Sequence, residues 1–265
     1  MSALREKVEY KTIDGVVIRG LFYAVGGGPA PAIIMTHGFN CVKDMLLPEL
    51  AEWFQSLGFN TLIYDPRSIG DSDGLPRNHI SPLQQAEDLS DIVTHVASLP
   101  SVDARRIVLW GMSFGATVSA CAAAVDRRVK ALVMVCPIFS FIQPEKREKA
   151  FAQLIRDRQS QLRGNEPFSL PPVNSRDRIT LQTYHKLALF RPKELLDLVR
   201  TLVQMIVPEL DDISPAKEQE EALGRFEGPK EIHIADGKGH LTVLSGSGSK
   251  EIWQAMVNFI RHALD

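Results

Sequence analysis

A serine lies between two glycines in the stretch GMSFG, residues 111–115. The apolar run IVLW precedes it and the alanine-rich run ATVSACAAA follows it, which predicts a strand before Ser113 and a helix after it. Such a turn exposes the serine hydroxyl above a sheet, and its small glycines let the strand and helix approach each other. The N–H groups at the start of the helix would face a developing anion. An ordinary turn is the alternative, but this context favours Ser113 as a nucleophile.

A serine nucleophile needs a base, and the base needs an acid that orients it. Four histidines follow Ser113 in the chain, namely His185, His233, His240 and His262. His240 lies in a glycine-flanked loop after the last predicted strand, from which it can reach the carboxyl edge of the sheet. The other three fall in an insertion, inside a strand and in a charged terminal helix. His240 is therefore the predicted base.

The acid should lie at the end of the preceding strand, in the stretch MIVPELDDISP. Glu209, Asp211 and Asp212 are the candidates. Adjacent side chains at a strand end point in different directions, so only one of the two aspartates can face His240. The other aspartate would point outward and meet water, bond the turn or cap the next helix. Residue types alone leave this choice open.

An acyl-transfer site also needs two N–H donors for the oxyanion of the tetrahedral intermediate. The backbone N–H of Phe114 directly follows the nucleophile. Phe39 offers the second N–H from the loop THGFN, where Gly38 permits a tight bend. His37 precedes this loop and is interpreted as a structural hydrogen-bonding residue.

The elements that must position these residues alternate between strand and helix patterns. Residues 7–24 alternate apolar and polar side chains about Asp14-Gly15, which predicts a β-hairpin. The runs AIIM, TLIY, IVLW and ALVMV are almost continuously apolar, as in strands buried on both faces. The sequence predicts an α/β fold: a mostly parallel central sheet with an antiparallel N-terminal hairpin and helices on both faces.

The alternation breaks between residues 138 and 200. The stretch PEKREKAFAQLIRDRQSQLR predicts a charged helix with an apolar stripe of Phe151, Leu154, Ile155 and Leu162, and a second helix is predicted near residues 180–190. We interpret residues 138–200 as a helical lid with an apolar inner face. The lid is inserted into a single core made of residues 1–137 and 201–265.

Three residues are predicted to contact a substrate. Cys41 follows the oxyanion loop, Met112 precedes the nucleophile, and Phe151 lies on the lid. The Cys41 thiol could take part in the chemistry of a thioester substrate, or it could simply pack in the protein interior. Packing is favoured because nothing in the sequence marks this cysteine as a thiolate.

Composition excludes several other classes of function. The chain has 265 residues, 45% of them hydrophobic, and a formal net charge of −2. No block of like charge indicates a nucleic-acid or membrane-surface partner, and no apolar run approaches the roughly 18 residues that cross a bilayer. The first residues lack the apolar stretch of a signal peptide, and the three cysteines show no metal-ligand spacing. We therefore expect a cytoplasmic protein.

With these residues identified, the chain resembles the α/β-hydrolase superfamily over essentially its whole length. The stretches THGF, YDPRSIGDSDG, GMSFG, VPELDDISP and GKGH occur in the order and spacing of that family, with Ser68 in place of a usual glycine. In that family, three residues separate the catalytic aspartate from a proline that opens the next helix. The resemblance therefore implies that Asp211, not Asp212, orients His240.

More narrowly, IIMTHGFNCVKDM and YDPRSIGDSDGLPRN resemble fungal hydrolases and acyltransferases encoded beside polyketide synthases. Members of that group release or transfer thioester-bound polyketide chains. The resemblance implies a serine hydrolase that cleaves an ester or thioester through an acyl-enzyme and releases a polyketide-type acyl chain. An acyltransferase or cyclase using the same triad is the alternative, and a non-catalytic binding protein is a weaker one.

The same resemblance implies no cofactor and no metal. The expected partner is a small-molecule acyl substrate, either free or carried as a thioester on the carrier protein of a polyketide synthase. A homodimer is left open.

Overall fold

The computed structural model describes residues 4–142, 144–171 and 177–265. The strands are, in chain order, β1 (Leu4–Lys11), β2 (Val17–Ala24), β3 (Ala30–Thr36), β4 (Asn60–Tyr64), β5 (Val102–Met112), β6 (Val129–Val135), β7 (Ser169–Leu170), β8 (Ile179–Thr180), β9 (Leu202–Pro208) and β10 (Lys230–Ala235). Within the described residues, one sheet has the order β1-β2-β4-β3-β5-β6-β9-β10, and β7 pairs with β8 separately.

The main sheet is mostly parallel. Strand β2 pairs antiparallel with both β1 and β4, and every other neighbouring pair in the sheet is parallel. Nearly every residue of β4, β6 and β9 is buried because helices cover both faces of the sheet. The predicted fold class, including the antiparallel N-terminal hairpin, is confirmed.

Helices lie on both faces of the sheet. They are α1 (Leu47–Ser56), α2 (Pro82–Ala97), α3 (Phe114–Val125), α4 (Arg147–Gln161), α5 (Gln182–Leu189), α6 (Ala216–Leu223) and α7 (Ser249–Leu264). The apolar side chains of α1 and α7 share one core cluster, and those of α2, α3 and α6 share the other. Helix α3 is buried along almost its full length, since its small alanine side chains let it approach the sheet closely.

The described part of the segment between residues 138 and 200 contains α4, α5, the small β7–β8 pair and two short 3₁₀ helices at Pro144–Lys146 and Pro192–Leu198. The prediction that the apolar stripe of α4 packs against the protein is wrong. Leu154 is buried, whereas Phe151, Ile155 and Leu162 are exposed.

The buried face of α4 carries a carboxylate instead of a wholly apolar stripe. Asp157 is fully buried, and its carboxylate accepts hydrogen bonds from the backbone N–H of Phe168 at 2.8 Å, from Gln182 Nε2 at 2.6 Å and from Gln161 Nε2 at 3.0 Å. A buried carboxylate is tolerated when it is hydrogen-bonded in this way. The helix is therefore oriented by polar contacts to its neighbours, which leaves most of its apolar side chains outside.

Within the described ranges, no helix combines the length and the apolar character needed to cross a membrane. The three cysteines, Cys41, Cys121 and Cys136, are buried and unpaired.

Candidate active site

Ser113 lies at the sharp turn between β5 and α3. Its backbone has φ 57° and ψ −122°, a conformation that a residue with a Cβ rarely adopts. The surrounding structure holds it there: its N–H donates to the carbonyl of Val135 at 2.8 Å, and its carbonyl accepts the N–H of Ala116 at 3.1 Å. The turn therefore presents the hydroxyl above the carboxyl edge of the sheet, as the sequence pattern predicts.

The glycines on either side of Ser113 are required by close backbone contacts. A Cβ on Gly115 would lie 2.2 Å from the carbonyl oxygen of His37, and a Cβ on Gly111 would lie 2.5 Å from Cα of Ala116. Real Cβ atoms do not tolerate such distances, so any side chain would push strand, helix and neighbouring loop apart. The glycines thus let the turn meet the loop that follows β3.

His240 Nε2 lies 2.8 Å from Ser113 Oγ. The imidazole is delivered by the loop that follows β10, and it is almost fully buried. The other histidines after the nucleophile lie elsewhere: His262 is exposed near the end of α7, His233 is half-buried in β10, and His185 is half-buried on α5. Of the four candidates, the structure brings only His240 to Ser113.

Asp211 contacts the other nitrogen of that imidazole. Its two carboxylate oxygens lie 2.8 and 3.0 Å from His240 Nδ1. Because an ionised carboxylate only accepts hydrogen bonds, Nδ1 carries the proton and Nε2 presents its lone pair to the hydroxyl of Ser113. This is the tautomer that a general base requires.

Backbone groups hold the Asp211 carboxylate in place. It accepts the N–H of Ile213 at 2.9 Å and of Ser214 at 2.7 Å, and Gln219 Nε2 donates to it at 3.0 Å. Burial raises the pKa of Asp211, but hydrogen bonds from His240 and these backbone N–H groups outweigh burial and hold the pKa below its ordinary value. The group is ionised at neutral pH.

Asp212 and Glu209 do not reach the imidazole. The Asp212 side chain is exposed, and Glu209 accepts the N–H of Gly237 on the surface. Of the roles expected for the second aspartate, Asp212 takes the one that points outward into water, and Asp211 itself accepts the two turn N–H groups while it also faces His240. Four acceptor sites on one carboxylate allow both roles.

The predicted oxyanion donors lie on either side of the nucleophile. A Cβ on Gly38 would lie 3.4 Å from Ser113 Cβ, so the loop that carries Phe39 packs against the nucleophile. Phe114 is the first residue of α3, where backbone N–H groups have no acceptor within the helix. The rings of Phe39 and Phe114 meet edge to face, 5.5 Å apart.

His37 holds the oxyanion loop from within. Its Nε2 lies 2.8 Å from the carbonyl of Met45, and the N–H of Gly38 donates to its Nδ1 at 2.6 Å. A carbonyl can only accept, so Nε2 carries the proton. Burial lowers the pKa of His37 to about 4, which keeps the ring neutral. The interpretation of His37 as a structural residue agrees with these contacts.

A buried ion pair anchors the far end of this loop. The Lys43 backbone N–H and ammonium group donate to the two oxygens of Asp65, each at 2.7 Å, and the ammonium also donates to Asp71 at 2.6 Å. Burial lowers the pKa of Lys43, but these hydrogen bonds outweigh it and raise the pKa above its ordinary value. Sequence reasoning missed this pair, although Asp65 is the second residue of the YDPRSIGDSDG motif.

Cys136 is a further residue that the sequence did not indicate. It follows β6 with φ 40°, and its sulfur lies 3.9 Å from His240 Nε2. Cys136, Asp211 and His240 offer potential metal-ligand atoms within 4.8 Å of one another. Burial raises the pKa of the thiol well above its ordinary value, while Asp211 and His240 hydrogen-bond each other. Both ring nitrogens of His240 are already engaged, Nδ1 by Asp211 and Nε2 by Ser113 Oγ, so the imidazole has no free lone pair for a metal ion and this donor set does not fit one.

The three predicted substrate contacts lie in different surroundings. Cys41 is buried beside the oxyanion loop, and burial raises the pKa of its thiol to about 11, which favours packing over thiolate chemistry. Met112 is buried at the end of β5, directly before the nucleophile. Phe151 is 37% exposed on α4. A contact of these residues with substrate stays a prediction.

An aromatic chain that sequence reasoning missed connects the site to the insertion. Phe39 lies 6.5 Å from Tyr184 of α5, Phe114 lies 5.9 Å from Phe141, and Phe141 lies 5.5 Å from Phe190, all between ring centroids. Aromatic residues scattered over 150 positions carry no common periodicity, so no local pattern could have grouped them.

Comparison with known proteins identifies the family of this chain. Residues 33–251 match the alpha/beta hydrolase family. The chain belongs to this family. The predicted resemblance to the α/β-hydrolase superfamily is thereby confirmed.

Individual members of the family are similar over nearly the whole chain. A thiohydrolase from Eupenicillium brefeldianum is 40% identical over 98% of this chain and 94% of its own length. The polyketide transferase ATR5 from Stachybotrys chlorohalonatus is 36% identical over 98% of each chain. The solved structure of DcsB in complex with its substrate analogue is 62% identical over 98% of this chain and 99% of that chain, with a TM-score of 0.96.

The predicted resemblance to fungal polyketide-type hydrolases and transferases is confirmed by these relatives. The chain is an enzyme of the α/β-hydrolase type, with a hydrolase or acyltransferase role.

Proposed function

We propose that this enzyme cleaves an acyl ester or thioester through a Ser113–His240–Asp211 triad and an acyl-enzyme. The observation that carries the proposal is the continuous hydrogen-bond chain, 2.8 Å from Ser113 Oγ to His240 Nε2 and 2.8 Å from His240 Nδ1 to Asp211. A hydroxyl held on an elbow, a base in the correct tautomer and a buried orienting carboxylate are the requirements of nucleophilic acyl transfer.

The proposed reaction proceeds in two halves. Ser113 Oγ attacks the acyl carbon while His240 Nε2 takes the hydroxyl proton, and Asp211 stabilises the imidazolium that forms. The N–H groups of Phe39 and Phe114 stabilise the oxyanion. The imidazolium then gives its proton to the departing thiol or alcohol. A water molecule, activated in turn by His240, attacks the acyl-enzyme and releases the acid.

We propose an apolar, polyketide-type acyl chain as the group transferred. The aromatic residues beside Ser113 and the names of the relatives, thiohydrolase and polyketide transferase, support it. In this proposal residues 138–200 act as a lid over the core, and Cys41 and Met112 contact the acyl chain. The three unpaired, buried thiols support the proposed cytoplasmic location, where cysteines stay reduced.

Reaction with a fluorophosphonate tests the nucleophile and the oxyanion donors together. We expect one adduct on Ser113, and in a crystal structure of that adduct we expect the phosphonyl oxygen about 3 Å from the backbone nitrogens of both Phe39 and Phe114. Side-chain substitution does not remove a backbone N–H, so the adduct structure is the decisive measurement. An oxygen directed away from either nitrogen would contradict the assignment of that donor.

The second candidate function is acyl transfer, in which an alcohol or a nucleophile of the substrate itself takes the acyl group. The relative named polyketide transferase favours it. Mass spectrometry of the products from an acyl thioester, with and without added alcohol, separates the two reactions. We expect free acid under both conditions. An ester that replaces the acid when alcohol is added would instead identify a transferase, and a lactone from a hydroxyacyl thioester would identify a cyclase.

A further inference from the structure

Helix α4 presents an exposed surface that combines cations with apolar side chains. Ile155 is 58% exposed and Leu162, directly after the helix, is 88% exposed. They are seven positions apart, about two helical turns, and Arg158 lies between them on the same face. We call Ile155, Leu162 and the Lys and Arg side chains of residues 146–163 the α4 surface.

The α4 surface carries an excess of positive charge. Residues 144–163 contain six Lys or Arg and three Asp or Glu, although the whole chain has a formal net charge of −2. All six cations are exposed, and none forms an ion pair within the described part of the chain. They are Lys146, Arg147, Lys149, Arg156, Arg158 and Arg163.

Folding concentrates this positive charge. Acids and bases alternate along residues 144–163, so no block of like charge is visible in the sequence. Asp157 is fully buried against α5 and the loop that follows α4, which removes one of the three carboxylates from the exposed face. Glu145 and Glu148 remain exposed beside the first turn of the helix. The second half of α4 therefore exposes cations alone among its charged side chains.

The α4 surface lies one layer away from the proposed oxyanion site. The buried face of α4 contacts α5, where Gln182 Nε2 donates to Asp157 at 2.6 Å. The same first turn of α5 carries Tyr184, whose ring centroid lies 6.5 Å from that of Phe39. A protein bound to the outer face of α4 would therefore sit on the proposed lid, within reach of the active site for a flexible substituent.

We propose that the α4 surface docks an acidic, helical carrier protein that presents the acyl thioester on a flexible arm; this inference rests on the proposed function. Exposed cations attract an acidic surface and accelerate encounter, and a small apolar centre with a charged rim is typical of transient protein interfaces. An anionic membrane is less well matched, because interfacial helices insert a broad apolar face and here Arg158 divides Ile155 from Leu162.

Charge reversal on α4 tests the docking site. The variant carries Arg147→Glu with Arg158→Glu, and the matched control carries Lys130→Glu with Arg261→Glu. Both control residues are exposed, Lys130 at the start of β6 and Arg261 near the end of α7, and neither forms an ion pair in the described ranges. The two variants change the net charge equally, and thermal unfolding checks that both remain folded.

Each protein is assayed on one octanoyl group in two forms, as the thioester of an acyl carrier protein and as the thioester of N-acetylcysteamine. We expect the α4 variant to lose about 10-fold or more in kcat/KM on the carrier-bound substrate, because rim charges set the association rate. The small thioester should be hydrolysed within about 2-fold of the unmodified enzyme, as should both substrates by the control. Raising the salt concentration should lower kcat/KM for the carrier-bound form only.

Three results would overturn the docking site. An α4 variant that keeps full activity on the carrier-bound thioester would contradict it while leaving the proposed function intact. Equal losses on both substrates would identify a structural role for the helix. The third result combines two observations: the unmodified enzyme binds vesicles of phosphatidylserine and phosphatidylcholine and the variant does not, while both hydrolyse the carrier-bound thioester equally well. It would identify the α4 surface as a membrane-binding surface. Failure of the proposed function itself looks different, because the unmodified enzyme would then hydrolyse neither thioester.

Discussion

Replacing Ser113 by alanine should lower kcat for acyl thioester hydrolysis by about 10⁴ to 10⁶. No other hydroxyl among the described residues is hydrogen-bonded to His240, so the variant has no substitute nucleophile. Binding of the substrate should change little, since the removed oxygen acts mainly in the transition state. Steady-state kinetics on one thioester, with circular dichroism to verify folding, measures the effect. His240→Ala should cause a similar loss.

A matched control exists in the helix that follows the nucleophile. Ser119 is also buried in α3, and its hydroxyl has no hydrogen-bond partner among the described residues. Ser119→Ala makes the same chemical change six residues later, inside that helix, and should leave kcat within about 2-fold. The double variant Ser113→Ala, His240→Ala should be no slower than either single variant, because residues of a triad act as a unit. Substantial activity in Ser113→Ala would refute the proposed acyl-enzyme mechanism.

Replacing Asp211 by asparagine should lower kcat by about 10⁴. The carboxylate holds the proton on His240 Nδ1, whereas the amide group of asparagine can donate to that nitrogen and stabilise the wrong tautomer. The substitution also removes the negative charge that stabilises the imidazolium. The Oδ1 atom of asparagine can still accept the turn N–H groups of Ile213 and Ser214, so folding should survive. Kinetics on the same thioester and the midpoint of thermal unfolding measure the two consequences.

Asp212→Asn is the control for this prediction, because it makes the same chemical change at the next residue. Asp212 is exposed and makes no contact with the imidazole. We expect kcat within about 2-fold of the unmodified enzyme and a change in the free energy of unfolding below about 0.5 kcal/mol. If the Asp212 variant were the inactive one, the assignment of the acid would be off by one residue.

The carboxyl edge of the sheet was predictable from local patterns. Buried parallel strands are almost continuously apolar, and Ser113 directly follows such a run, whereas His240 lies in the loop after the edge strand β10, KEIHIA, which is mostly exposed. Once the strands are parallel, their carboxyl ends lie together, so residues 127 positions apart meet. The glycines around Ser113 also predicted a close approach of the backbone at this turn, and the structure shows contacts there that leave no room for a side chain.

The acid was only partly predictable. Residue types left Asp211 and Asp212 equivalent, because which of them faces inward depends on where the pleat of β9 ends. The family resemblance favoured Asp211, and the structure shows the contact with His240. The contacts of Asp211 with Gln219 and Ser214 could not be predicted, because polar residues in a helix and a turn are usually solvated.

Local patterns were enough to predict the order of strands and helices, the elbow at Ser113 and the loops that carry Phe39 and His240, since each depends on neighbours along the chain. Which face of α4 is buried could be learned only from the folded chain. Helical spacing tells which side chains share a face, but not which face meets protein, and hydrogen bonds of Asp157 to Gln182 and Phe168 turned a polar face inward. The cations exposed on that helix follow from the same long-range contacts, which no local pattern contains.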